Sequence, residues 1–213
     1  MVCFCDIPLS QIKNHTNVYG RYAIGLKKEW AIRNGVTPIL YTHKDSLITK
    51  NLRLNHDDCL EILNEYPKVA QISNLWNSLL YTSFFIKPYK GIQKISGTAQ
   101  EITFYNEREW RYTLPREIFI GQIRKIVKDG FTKAFLSEAE YSDSVIRKSI
   151  NDENKKYGLN FTPNDINYII VEKEEEILEL IDEVQRIKGR HPYEDVKLLS
   201  TRIISMERIA EDF

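Results

Sequence analysis

Within its first 41 residues the chain runs strand, helix, strand with connections too short to join anything but neighbouring elements. Val2–Cys5 and Tyr22–Leu26 read as strands, Lys27–Asn34 as a helix that Gly35 ends, and Pro38–Tyr41 as the next strand. A brief helix fits between the first two strands, after the turn that Pro8 imposes. That order excludes a helical bundle and points to alternating α and β structure.

The far end of the chain has the same character. Asn167–Val171 is a strong strand, preceded by the turn Thr162-Pro163-Asn164-Asp165 and followed by an amphipathic helix over Glu172–Lys188. That helix places Ile177, Ile181 and Val184 on one face, acidic residues at its positive N-terminus and Gly189 beyond its end. Leu198–Ile204 is expected to be the last strand, with Ser205 capping a short helix over Met206–Ala210.

From His56 to Ile86 apolar residues recur at helical spacing, with Pro67 dividing the run into two helices. Lys87–Ala99, rich in Gly, Lys and Ser, reads as an exposed loop ahead of the strand Glu101–Tyr105. Ser137–Lys156 reads as a polar helix that Tyr157-Gly158-Leu159 closes. The expected architecture is α+β, a mixed sheet with flanking helices in a single domain. Residues 1–115 would form the core with its helical insert, and 116–213 a helical and strand-helix-strand tail packed on it.

Composition narrows the classes of function. Thirty basic residues balance thirty acidic ones, so no global field draws the chain to a nucleic acid or a membrane surface, and any such contact has to be local. A content of 42% hydrophobic and 11% aromatic residues argues against disorder. No apolar run approaches the roughly 18 to 20 residues that span a bilayer, and no secretory signal opens the sequence, so the expected compartment is the cytoplasm. Cys3, Cys5 and Cys59 form no CxxC pair and are expected as buried small residues in a reducing environment. Walker loop, GxGxxG, HExxH and GxSxG motifs are missing, and the histidines share no metal-ligand spacing, so no metal site is expected.

Three constellations carry chemistry. Along a strand, Glu107-Arg108-Glu109-Trp110-Arg111 sends Glu107, Glu109 and Arg111 to one face. Two carboxylates there would raise one another's proton affinity, and Arg111 would hold one ionised. The plainer reading of the same residues is an edge strand with cross-strand ion pairs and Trp110 in the core. His15, Tyr19 and Arg21, followed by Trp30 and Tyr41, offer stacking surfaces and donors for a nucleotide, although singly such residues are more often core or cap residues. The Lys87–Lys94 segment, with Tyr89 between Lys87 and Lys90, is the best basic and aromatic patch for single-stranded nucleic acid.

Some longer stretches look familiar. Cys3-Phe4-Cys5-Asp6-Ile7-Pro8-Leu9-Ser10, Tyr19-Gly20, Lys28-Glu29-Trp30 and Tyr105-Asn106-Glu107-Arg108-Glu109-Trp110-Arg111 together resemble the abortive phage infection family AbiGi. The resemblance continues through Phe161–Ile166 and Thr201–Ile204. It implies a role in phage defence within a toxin and antitoxin arrangement. The Glu-x-Glu-Trp-Arg strand is also similar to the catalytic glutamate strand of ADP-ribosyltransferases, including defence toxins that modify DNA or messenger RNA.

That second likeness implies an ADP-ribosyltransferase-like fold, NAD as substrate and a nucleic acid, RNA ahead of DNA, as acceptor. Glu109 would be the catalytic glutamate, Glu107 and Arg111 would set its charge and position, and Tyr19, Arg21, Tyr41 and His15 would seat the dinucleotide. The alternative expectation is a non-catalytic antitoxin or regulatory partner that binds and neutralises a toxin.

Overall fold

A strand buried on both faces has to be apolar at nearly every position, and Ile-Asn-Tyr-Ile-Ile-Val, residues 166 to 171, meets that condition. In the computed structural model, which describes residues 1–66, 69–95, 97–119, 121 and 142–212, this run is strand β9 (Ile166–Val171). The chain divides into two units. Unit 1 gathers Met1–Cys3, Pro38–Gly91 and Glu101–Gly158, and unit 2 gathers Phe4–Thr37, Ile92–Gln100 and the chain from Leu159 onward.

In unit 2, β9 is the middle strand of a mixed sheet. β10 (Ile203–Ser205) pairs with it in parallel, Ile204 opposite Ile170, and β2 (Ala23–Leu26) pairs antiparallel, Ala23 opposite Ile170 and Gly25 opposite Tyr168. A bulge follows: Leu26 pairs with Ile166, which leaves the exposed Asn167 as the extra residue. The bulge resets the alternation of the strand. Tyr168 and Ile170 face one core, with Ile12 from helix α1 (Ile12–Tyr19) and Ile209, whereas Ile166 joins Ile169 in the other.

That second core is completed by Val184, from the amphipathic helix (Ile177–Lys188), and by Val196 and Leu199 from the next helix (Tyr193–Ser200). Leu198–Ile204 is therefore not one strand: its first half is helical and only Ile203–Ser205 joins the sheet. Val196 and Leu199, three apart, bury one helical stripe, and that burial overrides the strand propensity of the neighbouring residues. Ser205 caps the last helix (Met206–Asp212) as expected, accepting from the Arg208 N–H at 3.1 Å. Trp30, on α2 (Lys28–Arg33), is 1% exposed, and its indole donates to Asn160 O at 2.9 Å.

Gly25 is required where it stands. A Cβ there would lie 2.2 Å from Tyr168 Cε2, its own cross-strand partner. Gly25→Ala is expected to lower stability by about 1 to 3 kcal/mol, the usual cost of overpacking. The measurement is the urea midpoint at unchanged m-value; an unmoved midpoint would show that the Tyr168 ring swings clear.

Unit 1 is built on a crossover. β4 (Leu40–Thr42) and β5 (Ile86–Pro88) are parallel neighbours, so the chain between them has to return to the same end of the pair. It does so through α3 (Leu47–Glu65) and α4 (Ala70–Ser83), the two helices expected on either side of Pro67, which itself lies outside the described residues. The register sets Tyr41 opposite Lys87. Pro38–Tyr41 is split: β3 (Thr37–Pro38) pairs with β8 (Glu109–Tyr112), while β4 pairs with β5. Ile39 N–H still donates to Glu109 O of β8 and Leu40 N–H already donates to Phe85 O, so the chain changes sheets between these two residues.

Two further expectations are corrected. Lys87–Ala99 is not a loop, because β6 (Lys90–Ile95) and β7 (Thr98–Thr103) form a hairpin turned by Gly97 at φ 83°. The expected polar helix is described only from 142 on, where Ser144–Asn154 is helical; residues 137–141 lie outside the described residues. Gly158, at φ −63° and ψ 144°, leaves as extended chain rather than as a left-handed cap. Among the described residues the β structure is thus a set of two- and three-stranded sheets with helices, rather than one mixed sheet.

Candidate functional site

Arg108 has a left-handed backbone, φ 45° and ψ 51°, and so interrupts the strand expected over residues 107 to 111. Glu107 ends a 3-10 turn (Phe104–Glu107) and the strand proper starts at Glu109. β8 is also central in its sheet, in the order β1-β8-β3, with β1 over Val2–Cys5, so it is not an edge. Its buried face is the charged one. Glu109 and Arg111 are buried, and Trp110 is only half-buried.

Charges survive in such a place only when each is paired. Arg111 Nε donates to Glu109 Oε1 at 2.6 Å and Nη2 to Oε2 at 3.3 Å, while Nη1 donates to the Phe84 carbonyl, with Ile86 O at 3.5 Å. Lys87 Nζ donates to Glu107 Oε2 at 2.6 Å and to Glu109 Oε2 at 2.8 Å. Two cations thus face two carboxylates. The backbone is held too: Glu109 N–H donates to the Tyr41 hydroxyl at 2.9 Å, and Glu109 O accepts from Ile39 N–H at 3.2 Å.

The electrostatics follow from that packing. Burial pushes the Glu109 carboxyl up, but hydrogen bonds from Arg111, the Cys3 thiol and Lys87 outweigh it and hold the group down at about 2. Burial likewise opposes charge on Lys87, yet the bonds to Glu107 and Glu109 raise its pKa above the ordinary value. Cys3 is raised by burial and then by its bond to Glu109, and Tyr41 by burial first. Lys87, bonded to both carboxylates, offsets the repulsion expected between Glu107 and Glu109. Glu109 is ionised at neutral pH.

The proposed dinucleotide residues fall into both units. Tyr41 belongs to unit 1 with the acid cluster, whereas His15, Tyr19 and Arg21 belong to unit 2. There His15 stacks on Tyr19, ring centroids 4.4 Å apart, and Arg21 pairs with Glu172 at 2.6 Å. Reading the sequence puts Lys87 in the basic and aromatic patch and misses its place between Glu107 and Glu109. Its only sequence signal is a charge count, since two carboxylates and one arginine on one face leave a negative charge to be met, and nothing local says which lysine meets it. Cys3 and Cys5 are exposed rather than buried, and only Cys59 fits the expected placement. Among the described residues, no group of three or more His, Cys, Asp or Glu could hold a metal ion, and no helix is long and apolar enough to cross a membrane.

Fold and site together define a mixed α+β protein whose unit 1 is organised round a buried, fully paired charge cluster. Comparison with known proteins then gives its family. The family model described as "abortive phage resistance protein AbiGi, antitoxin" matches residues 1–172, so the chain belongs to the AbiGi family. The abortive phage resistance protein AbiGi of Lactococcus lactis subsp. cremoris is 30% identical over 227 residues, an alignment covering 100% of this chain and 88% of that protein. No solved structure matches the chain.

Proposed function

We propose that this chain serves phage defence as a non-catalytic component that binds and neutralises a toxin protein. The family's description as an antitoxin suggests that role. The observation that carries the proposal is the closure of Glu109. The residue is 4% exposed, and both of its carboxylate oxygens accept from cations at 2.6 to 2.8 Å. A glutamate that steadies a ribosyl cation and orients an acceptor needs an oxygen open to the sugar. Glu109 offers none in this arrangement, so the cluster does not fit NAD as substrate, and its role is to hold β8 against β5.

The test uses the wild-type chain. Expressed alone it should leave growth unchanged, and incubated with labelled NAD plus RNA, DNA or cell protein it should label nothing. Label on any macromolecule would sink the antitoxin reading. It would support the transferase reading, which rests on one observation in its favour: Glu107 and Glu109 converge on a single ammonium. In that reading the fold is ADP-ribosyltransferase-like, Lys87 gives up Glu109 when the dinucleotide binds, and a nucleic acid is the acceptor.

A further inference from the structure

Above the charge cluster, unit 1 carries aromatic rings that none of its chemistry uses. Tyr105 is 54% exposed and Tyr89 39% exposed, and their ring centroids lie 5.7 Å apart at an interplanar angle of 31°. His43, also exposed, continues the row at 6.4 Å from Tyr89, and Tyr41 lies edge-on to Tyr105 at 5.4 Å. The backbone that carries these rings is held in place. Tyr89 N–H donates to Thr42 O at 2.7 Å, Tyr105 N–H to Tyr89 O at 3.4 Å, and the Tyr41 hydroxyl is fixed by Glu109 N–H.

Such a row is an unusual use of surface, because a solvent-exposed aromatic gains little by being fixed. The neighbouring charges supply the reason. Lys44 follows His43, Lys90 follows Tyr89, and Arg108 lies three residues beyond Tyr105. All three are exposed, and among the described residues none is engaged by a carboxylate. Asp45 is the exposed acid beside them, while Glu107 is taken up by Lys87.

We propose that the row of Tyr105, Tyr89 and His43, flanked by Lys44, Lys90 and Arg108, is a stacking platform for single-stranded nucleic acid. Every base offers a π face, so fixed aromatic rings bind it without sequence preference, and the flanking cations meet the phosphates. A duplex hides its base faces and would gain only the phosphate contacts. With the chain neutral overall, attraction is confined to this patch. Neither toxin binding nor chemistry at Glu109 enters the case for this site.

The experiment is fluorescence anisotropy of a labelled oligo-dT or oligo-U of about ten nucleotides with the full chain, from 50 to 300 mM salt. Binding is expected to weaken about tenfold in Tyr105→Ala and in Tyr89→Ala, and Tyr105→Trp should restore it. Affinity should fall with salt at a log-log slope near −2, and Lys90→Gln should flatten that slope by about 0.7. Far-UV circular dichroism and the urea midpoint show that each variant is folded. The proposal is overturned if the strand does not bind at 50 mM salt, if a duplex of equal length binds as tightly, or if a mononucleotide binds as tightly as the strand. Binding that both alanine variants leave unchanged overturns it too.

Discussion

Glu109→Gln is expected to destabilise the protein by about 3 to 5 kcal/mol, the range for removing one member of a buried ion pair. The substitution keeps the shape and takes one negative charge from the cluster, leaving Lys87 with Glu107 and Arg111 with no carboxylate. Arg111 loses its charged partner in a buried site, and its remaining bonds go to the neutral carbonyls of Phe84 and Ile86. Glu107→Gln removes the same charge from the rim of the cluster and should cost less, because Lys87 keeps Glu109 and Arg111 is untouched. Urea unfolding ranks the two. A chain of two units can unfold in two transitions, and the loss should fall on only one of them. If Glu109→Gln unfolds with the wild-type midpoint, the cluster is not structural, and the transferase reading gains accordingly. The same result fixes how activity data are read, since an unfolded variant loses any function.

The second large effect is acid sensitivity. The folded pKa of Glu109, about 2, lies below its ordinary 4.5, so the native state binds the proton less readily than the unfolded state does. The stabilisation is fully present above pH 4.5 and is lost as the pH falls toward 2. A gap of that size is worth about 3 kcal/mol. Asp165 moves in the same direction: burial raises it, but Thr162 and Arg33 together lower it. Between pH 5 and pH 2, wild-type stability should therefore fall more steeply than that of Glu109→Gln, and the two curves should converge at the acid end. Parallel curves would show that Glu109 is not held ionised by its neighbours.

Local signals made some of the fold legible from sequence. Gly35 at φ 74° ends α2, Ser205 caps the final helix, and the bounds of β9 fall within a residue of those expected, because caps, glycines and apolar runs act over a few residues. Where partners come from far along the chain, the reading failed. Lys87 reads as part of a loop because nothing near it in sequence shows that Glu107 and Glu109, twenty and more residues on, surround it. The spacing of Glu107, Glu109 and Arg111 did predict their convergence, although Arg108 breaks the strand that was to align them. Tyr41, expected at a ligand, has a hydroxyl that accepts from the Glu109 N–H, a contact that no local signal foretells. The strand expected over Leu198–Ile204 hid a helix whose own signals were present: Pro192 before its start, with Glu194 and Asp195 in its first turn.

The pairing of β2 with β9 also bears on synthesis. Ala23 meets Ile170 only after roughly 150 further residues have been made, which at 5 to 20 residues per second takes about 7 to 30 s. Throughout that interval the nascent chain carries an unpaired apolar strand whose edge nothing yet covers. A cell making this protein in quantity should therefore find it a client of ribosome-associated chaperones, and slowing translation late in the message should lower the soluble yield more than slowing it early.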